Sequence, residues 1–258
     1  MNVTIIDHAN LLAFWLAFTR WLAMCMQLPV FDNVSIPVLV KVLAALVISY
    51  CFYPQVQHIL VSEVNFYGHE NYWFLTMFHA MVGIVVGFCV KVIMSIFLSV
   101  GALINQQVGF ASLSYFDPNH SSQVGPFEQL IHWCMIIMLL SSGALLPMFK
   151  GGLGTFQTIN IGNIALLTQS SQFIYEFFKS LIGVALVLVS PLMFINLLLN
   201  LVLGIVAKTV PQMNILMVSF AVNIGIGLIV FVVISEEFFY VAYETYIAKL
   251  GEWFKYFT

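Results

Sequence analysis

Residues 101–123 read Gly101-Ala-Leu-Ile-Asn-Gln-Gln-Val-Gly-Phe-Ala-Ser-Leu-Ser-Tyr-Phe-Asp-Pro-Asn-His-Ser-Ser-Gln123. This stretch is a polar, glycine-bearing interruption midway along a chain that is otherwise almost continuously apolar. It has too few hydrophobic residues to cross a bilayer, and its amide and hydroxyl groups are costly to leave unpaired in lipid. Such a segment is tolerated at membrane depth only where it is buried in protein or lines a watery path. We therefore predict a loop that faces an aqueous lumen.

The composition places the chain in a membrane. Of its 258 residues, 62% are hydrophobic and 7% are charged, and the mean hydropathy is +1.02. A soluble domain carries roughly 25% charged residues, so this chain has too few to cover its own surface in water. The 8 basic residues are scattered and the net charge is −3. Nucleic-acid binding, which requires a clustered basic surface, is excluded as a function class.

Six apolar runs predict an all-α membrane protein with about six long, partly broken helices. The runs are 9–28, 38–61, 72–104, 127–149, 173–207 and 215–234. The third and fifth are too long for a straight crossing of a ~30 Å hydrocarbon layer. Pro54 and Pro191 are expected to bend or end their helices. Gly151-Gly152 is expected to stop the fourth helix, and Ser235 to cap a separate last one.

Small and polar residues recur every four positions in the third run: Gly83, Gly87, Lys91, Ser95 and Ser99. Glycines at this spacing favour close helix crossings, and a bare lysine facing lipid is costly. We therefore predict that this face packs on protein.

The first run contains Arg20, the chain's only arginine. It either pairs with a neighbouring helix or snorkels, or it contributes to a contact between subunits.

Motifs of known enzymes are missing from the sequence. It contains no His-Glu-x-x-His, Cys-x-x-Cys or Gly-x-Ser-x-Gly pattern, and its six histidines lack metal-ligand spacing. We expect no enzymatic activity, no cofactor and no metal. Nearly all acidic residues lie at the ends of the apolar runs, which disfavours an ion-coupled carrier.

The segment Gln106–Pro118 resembles the signature of the FliR family of flagellar export-gate proteins, which also includes the T-type export proteins of virulence injectisomes. Two further stretches resemble the same family at the expected intervals: Pro29–Lys41 and Asn196–Asn214. Together with the apolar runs, the resemblance covers nearly the whole chain. The sequence of the central match, Gln106–Pro118, is more similar to the flagellar branch than to the injectisome branch.

The resemblance implies a core, non-enzymatic subunit of the type III export gate in the bacterial inner membrane, within the flagellar basal body. One copy would assemble with several FliP-type and FliQ-type subunits, next to FlhB-type and FlhA-type components, and unfolded flagellar proteins would pass through. It also implies a domain plan. A FliP-like part would cover residues 1–172, with the plug loop at about 101–123. A FliQ-like hairpin would follow at 173–234, and an aromatic C-terminal helix at 235–258.

By the same resemblance, the central loop is similar to the family's pore plug. The expected plug and pore-lining residues are Gln106, Gln107, Gly109, Phe110, Ala111, Ser112, Tyr115, Phe116, Asp117 and Pro118. Gly101 and Gly109 would give the loop hinge freedom, and the aromatic residues would supply bulk. The expected helix-packing or subunit contacts are Gly83, Gly87, Lys91, Ser95 and Arg20.

Three alternatives remain at this point. The first is a subunit of an injectisome gate from the same family. The second is a secondary transporter of small solutes, and the third is a structural membrane scaffold without a pore. The loop itself could also be an ordinary connector between helices.

Overall fold

The computed structural model describes residues 8–31, 36–110, 125–163, 171–210, 212 and 214–257. Within them the regular structure is entirely helical, so the prediction of an all-α fold is confirmed. The described residues form seven α-helices: α1 (His8–Cys25), α2 (Val38–Tyr67), α3 (Tyr72–Val108), α4 (Pro126–Ser141), α5 (Leu145–Thr158), α6 (Ser171–Thr209) and α7 (Ile215–Phe257). Two short 3-10 turns, His69–Asn71 and Ile161–Asn163, lie between them.

Several helices are much longer than a bilayer is thick. α3, α6 and α7 have 37, 39 and 43 residues, which is about 55–65 Å at 1.5 Å per residue. Within the described residues, four helices are long and apolar enough to cross a membrane, namely α2, α3, α6 and α7. A fifth span results if α4 and α5 count as one broken crossing. The helix α1, which covers the first apolar run, is not among them.

Two predicted helix boundaries are wrong. α5 runs straight through Gly151 and Gly152, and the break lies earlier, where Gly143 adopts a φ of +72°. This backbone conformation suits glycine, because it has no Cβ. α7 is continuous through Ser235, whose hydroxyl donates to the Val232 carbonyl within the same helix at 2.9 Å. The acidic residues after Ser235 therefore do not open a new helix.

Two other helices extend beyond their predicted ends. α2 is continuous through Pro54 and ends at Tyr67, so Ser62 and Glu63, which follow the predicted end at residue 61, are helical. α3 ends at Val108, so the first eight residues of the predicted loop, starting at Gly101, are also helical. In both places the apolar face continues past polar residues and keeps the helix packed.

The chain forms two compact units. Unit 1 comprises Met1–Ile93, Gly143–Gln172 and Ala248–Thr258. Its core includes Trp21, which stacks on Phe52 with ring centroids 5.3 Å apart and also contacts Phe149 and Phe156.

Unit 2 comprises Met94–Ser142 and Phe173–Ile247, so it joins residues from both sides of the predicted boundary at residue 172. Phe127 and Phe231 pack edge to face in its core, with ring centroids 4.8 Å apart. This unit contains the described part of the central polar stretch.

Candidate functional site

The central stretch begins at the C-terminal end of α3, in unit 2. The backbone N–H of Gly109 donates to the carbonyl of Asn105 at 3.2 Å, and Gly109 then adopts a φ of +97°. A left-handed residue of this kind is a common way to end a helix. The chain leaves α3 through Phe110, the last described residue before Gly125.

The chain returns at the N-terminal end of α4. Gly125 occupies the N-cap position and offers no capping side chain, and Pro126 has no N–H to satisfy. The N–H of Phe127, which has no acceptor within its own helix, instead donates to the side-chain Oδ1 of Asn105 at 3.0 Å. Asn105 is 5% exposed. A residue of α3 therefore caps α4 across space.

The C-terminal end of α3 and the N-terminal end of α4 are in close contact. We call residues 105–110 and 125–128 the neck. A Cβ on Gly125 would meet the amide group of Asn105, and a Cβ on Gly101 would lie 2.5 Å from the Cα of Glu128. The rings of Phe110 and Phe127 meet edge to face, with centroids 5.8 Å apart. The chain thus leaves α3 and enters α4 at one place.

A row of neutral amides lies beside the neck in unit 2. The Nδ2 of Asn196, on α6, donates to the Oε1 of Gln107 at 2.5 Å. The Nδ2 of Asn200 approaches the Oδ1 of Asn196 at 3.4 Å. A cavity of about 10 Å³, with room for about one water molecule, is lined by Gln107, Asn196 and Asn223 among others. Among the described residues, the buried Oδ1 of Asn223 has no partner.

The predicted plug residues fall into two groups. The first group lies in the neck: Gln106, which is exposed, Gln107, which is half-buried, Gly109 and Phe110. The other predicted residues, Ala111, Ser112, Tyr115, Phe116, Asp117 and Pro118, lie outside the described residues. Gly101 was expected to be a hinge, but it is buried inside α3, about two turns before its end, against α4. Its role is close packing.

Arg20 lies in the core of unit 1, where its side chain is fully buried. One guanidinium nitrogen donates to the Thr155 carbonyl at 2.9 Å and another to the Ile159 carbonyl at 3.2 Å, while the group lies 4.3 Å from the centre of the Phe156 ring. These carbonyls lie at the C-terminal end of α5, where a cation complements the helix dipole. Arg20 therefore joins helices of its own chain.

A second buried polar pair lies in the same unit. The Nε2 of His79 and the Oε2 of Glu63 are 3.1 Å apart, and both side chains are almost completely buried. The sequence indicated that acidic residues lie at the ends of the apolar runs. Glu63 is an exception, because it lies inside α2 and pairs with a histidine of α3.

The glycines of the predicted stripe pack against α1. A Cβ on Gly83 would lie 2.5 Å from the backbone oxygen of Arg20, and one on Gly87 would lie 3.0 Å from that of Met24. Lys91 and Ser95, further along α3, are half-buried, and Ser99 is exposed. The two glycines thus allow the backbones of α1 and α3 to approach closely within unit 1.

Sequence reasoning missed the residue that closes the neck. Asn105 is one amide among several in the quoted stretch, and nothing in its immediate sequence distinguishes it from Gln106 or Gln107. The available signal was Gly125-Pro126, a helix start without a local capping side chain, which calls for an acceptor from elsewhere in the fold.

Comparison with known proteins identifies a family. The family model described as "Bacterial export proteins, family 1" matches residues 11–247. Among curated proteins, the chain is 27% identical over 210 residues to the flagellar biosynthetic protein FliR of Buchnera aphidicola, covering 81% of this chain and 80% of that protein. It is 25% identical over 232 residues to FliR of Bacillus subtilis, covering 89% and 88%.

A relative from another system also matches. The surface presentation of antigens protein SpaR of Shigella flexneri is 25% identical over 176 residues, covering 66% of each chain. The family model covers most of the sequence, including both sides of the neck and the long helices that follow it. The chain therefore belongs to family 1 of the bacterial export proteins.

Proposed function

We propose that this chain is a core subunit of a type III export gate, through which unfolded flagellar proteins cross the bacterial inner membrane. One copy assembles with FliP-type and FliQ-type subunits, next to FlhB-type and FlhA-type components. Residues 1–172 form the FliP-like part and residues 173–234 the FliQ-like hairpin, followed by the C-terminal helix at 235–258. The flagellar biosynthetic relatives support the flagellar branch, and the Shigella relative keeps the injectisome branch as the second candidate.

The proposal rests on the mismatch between helix length and burial. α7 is about 65 Å long, yet only 11% of its most apolar stretch is buried within the chain. The value for α2 is also 11%, and for α6 it is 28%. Lipid can cover roughly 30 Å of such a helix. The remaining apolar length needs other protein helices, as expected for one protomer of a larger helical assembly.

The plug is the second part of the proposal. Residues 111–118 occlude the lumen of the closed gate, and the neck anchors both of their ends. On the α3 side of the neck, Gln106 is exposed and Gln107 pairs with Asn196 of α6. Polar groups of this kind are compatible with a water-filled path. Unfolded substrate displaces the plug, and other components of the export apparatus supply the energy.

A replacement of residues 111–118 by a glycine-serine linker of equal length tests the plug. It leaves the described neck intact, unlike a deletion of residues 106–119, which removes part of α3. We expect a several-fold rise in small-ion conductance of liposomes that contain the purified complex. The control changes Ser62 and Asn65, both exposed on α2, to alanine. Unchanged conductance of the linker variant contradicts the plug.

Co-purification tests the assembly. A tagged chain extracted from its native membrane is expected to carry several small hydrophobic subunits at unequal copy number, with one copy of this chain per complex. Mass spectrometry of these partners separates flagellar from injectisome components. A monodisperse lone chain contradicts the assembly, as does solute uptake by liposomes containing the chain alone.

A further inference from the structure

We propose that Asn105 is the positioning residue that holds the two ends of the plug segment together. The inference rests on the proposed plug and specifies how its base is fixed. Asn105 lies in the last turn of α3, and its side chain is one of the few polar groups in the core of unit 2. Its amide contacts both residues that begin the return of the chain, Gly125 and Phe127.

The hydrogen bond has a defined direction. The N–H of Phe127 is a donor, so the atom facing it at 3.0 Å must be the amide oxygen of Asn105. The amide nitrogen therefore faces Gly125, where a Cβ would come within 2.5 Å of the Asn105 Cγ. Only glycine leaves space for this arrangement. The oxygen supplies the contact, while the buried Nδ2 has no partner among the described residues.

The position of Asn105 makes this contact a tie rather than an ordinary helix cap. A local cap would fix only the first turn of α4, whereas Asn105 fixes that turn to α3. Five residues later, Phe110 packs on Phe127, the residue that Asn105 binds. The chain leaves the neck at Phe110 and returns at Phe127. The positions of both residues thus depend on the contact between Phe127 and Asn105. Loss of the tie is expected to let the neck widen while α3 and α4 remain helical.

Two substitutions of Asn105 distinguish the contribution of the amide oxygen from that of the amide nitrogen. Asn105→Leu keeps the branched shape of the side chain, with a larger volume, and removes the acceptor. Asn105→Asp keeps an oxygen at the same place, and a carboxylate at a helix N-terminus is favourable. Gly125→Ala acts on the same contact from the other side, because its methyl group displaces the Asn105 amide. It remains informative if Asn105→Leu prevents assembly.

The neck width is measured in the purified complex by spin labels on cysteines introduced at Gln106 and Gln129, both exposed. The exposed Cys51 and half-buried Cys134 are replaced by serine in this background. We expect Asn105→Leu and Gly125→Ala to lengthen and broaden the distance between the labels and to raise ion conductance several-fold. In Asn105→Asp, the label distance and the ion conductance are both expected to stay close to those of the unsubstituted complex. If the substitutions acted through a general loss of packing, Asn105→Asp would change them as well.

The outcomes separate the tie from the plug. An unchanged label distance in Asn105→Leu and Gly125→Ala overturns the tie, whatever the conductance. A wider neck in Asn105→Asp as well also overturns it, because the acceptor oxygen is then not what holds the ends. A wider neck without added conductance supports the tie as a structural contact and contradicts the proposed plug.

Discussion

Among the buried polar side chains that the structure describes, the ionisable ones belong to unit 1, whereas unit 2 buries a neutral amide. Unit 1 buries Arg20, Glu63 and His79. Unit 2 buries Asn105 and pairs Gln107 with Asn196. Each set joins different helices of its own unit. The two sets differ in the free energy that is needed to separate the paired groups.

That difference indicates which contacts are permanent. An isolated buried charge costs several kcal/mol, so a helix that carries Arg20 cannot leave its carbonyl partners without a large penalty. A neutral amide exchanges its partner for water at a cost of about 1 kcal/mol. We infer that the charged contacts of unit 1 hold a rigid frame. The amide contacts of unit 2 suit a part of the protein that moves.

The strongest test of the comparison removes the charge at Arg20. Arg20→Met is expected to lower the free energy of unfolding by about 3–5 kcal/mol, because two carbonyls lose their donors and Glu63 loses a nearby positive charge. Equilibrium unfolding in mixed micelles measures this change. Lys150→Met, which alters an exposed cation, is the control. A loss below about 1 kcal/mol for Arg20→Met would remove the contrast between the units.

A matched pair of glycines gives the next largest effect. The new methyl group of Gly83→Ala would meet the backbone oxygen of Arg20 at 2.5 Å, whereas that of Gly227→Ala would meet a side-chain methyl of Val108 at 2.7 Å. Backbone cannot move aside as a valine can. We expect a loss of about 1–3 kcal/mol for Gly83→Ala and a much smaller one for Gly227→Ala. The same unfolding assay compares them, and equal losses contradict the expectation.

A double-mutant cycle measures the amide contact in unit 2. Gln107→Leu and Asn196→Leu, made singly and together, are expected to give a coupling energy of about 0.6 kcal/mol, as is typical between membrane helices. Ser190→Ala, at an exposed position of the same helix, replaces Asn196→Leu in the control cycle, and a coupling energy near zero is expected there. A coupling above about 2 kcal/mol, the range of hydrogen bonds to charged groups, would show that this contact is not easily exchanged.

The smallest effect is expected at Ser235, a polar residue of unit 2 whose hydroxyl donates within its own helix. Because α7 is continuous there, Ser235→Ala should change the free energy of unfolding by less than about 0.5 kcal/mol. If a helix began at this residue, the loss would be about 0.5–2 kcal/mol. The result sets the background against which the Gln107–Asn196 coupling is judged.

The sequence predicted the helices well where hydrophobicity alone decides them. The apolar runs at 38–61, 72–104 and 173–207 all lie within continuous helices. Their ends were predicted less well, since local stop and cap signals compete with tertiary packing. Gly151 and Gly152 lie inside a helix, at positions where Phe254 and Trp21 occupy the space that a side chain would need.

The candidate site was predicted only in part. Polarity and glycine content identified the region of Gln107 and Gly109, because these properties are visible in a short window of sequence. The tie through Asn105 was not predicted, because it depends on a residue 22 positions away in the sequence. Glu63 and His79 escaped notice for the same reason, being paired across two helices.

The sparse burial of α2 and α7 also has a consequence for the life of the protein in the cell. In the proposed assembly, a copy without partner helices leaves uncovered the apolar length of α2 and α7 that exceeds the ~30 Å covered by lipid. Such surfaces attract aggregation and the proteases that remove unassembled subunits. The abundance of this chain is therefore expected to follow the supply of its neighbours rather than its own rate of synthesis.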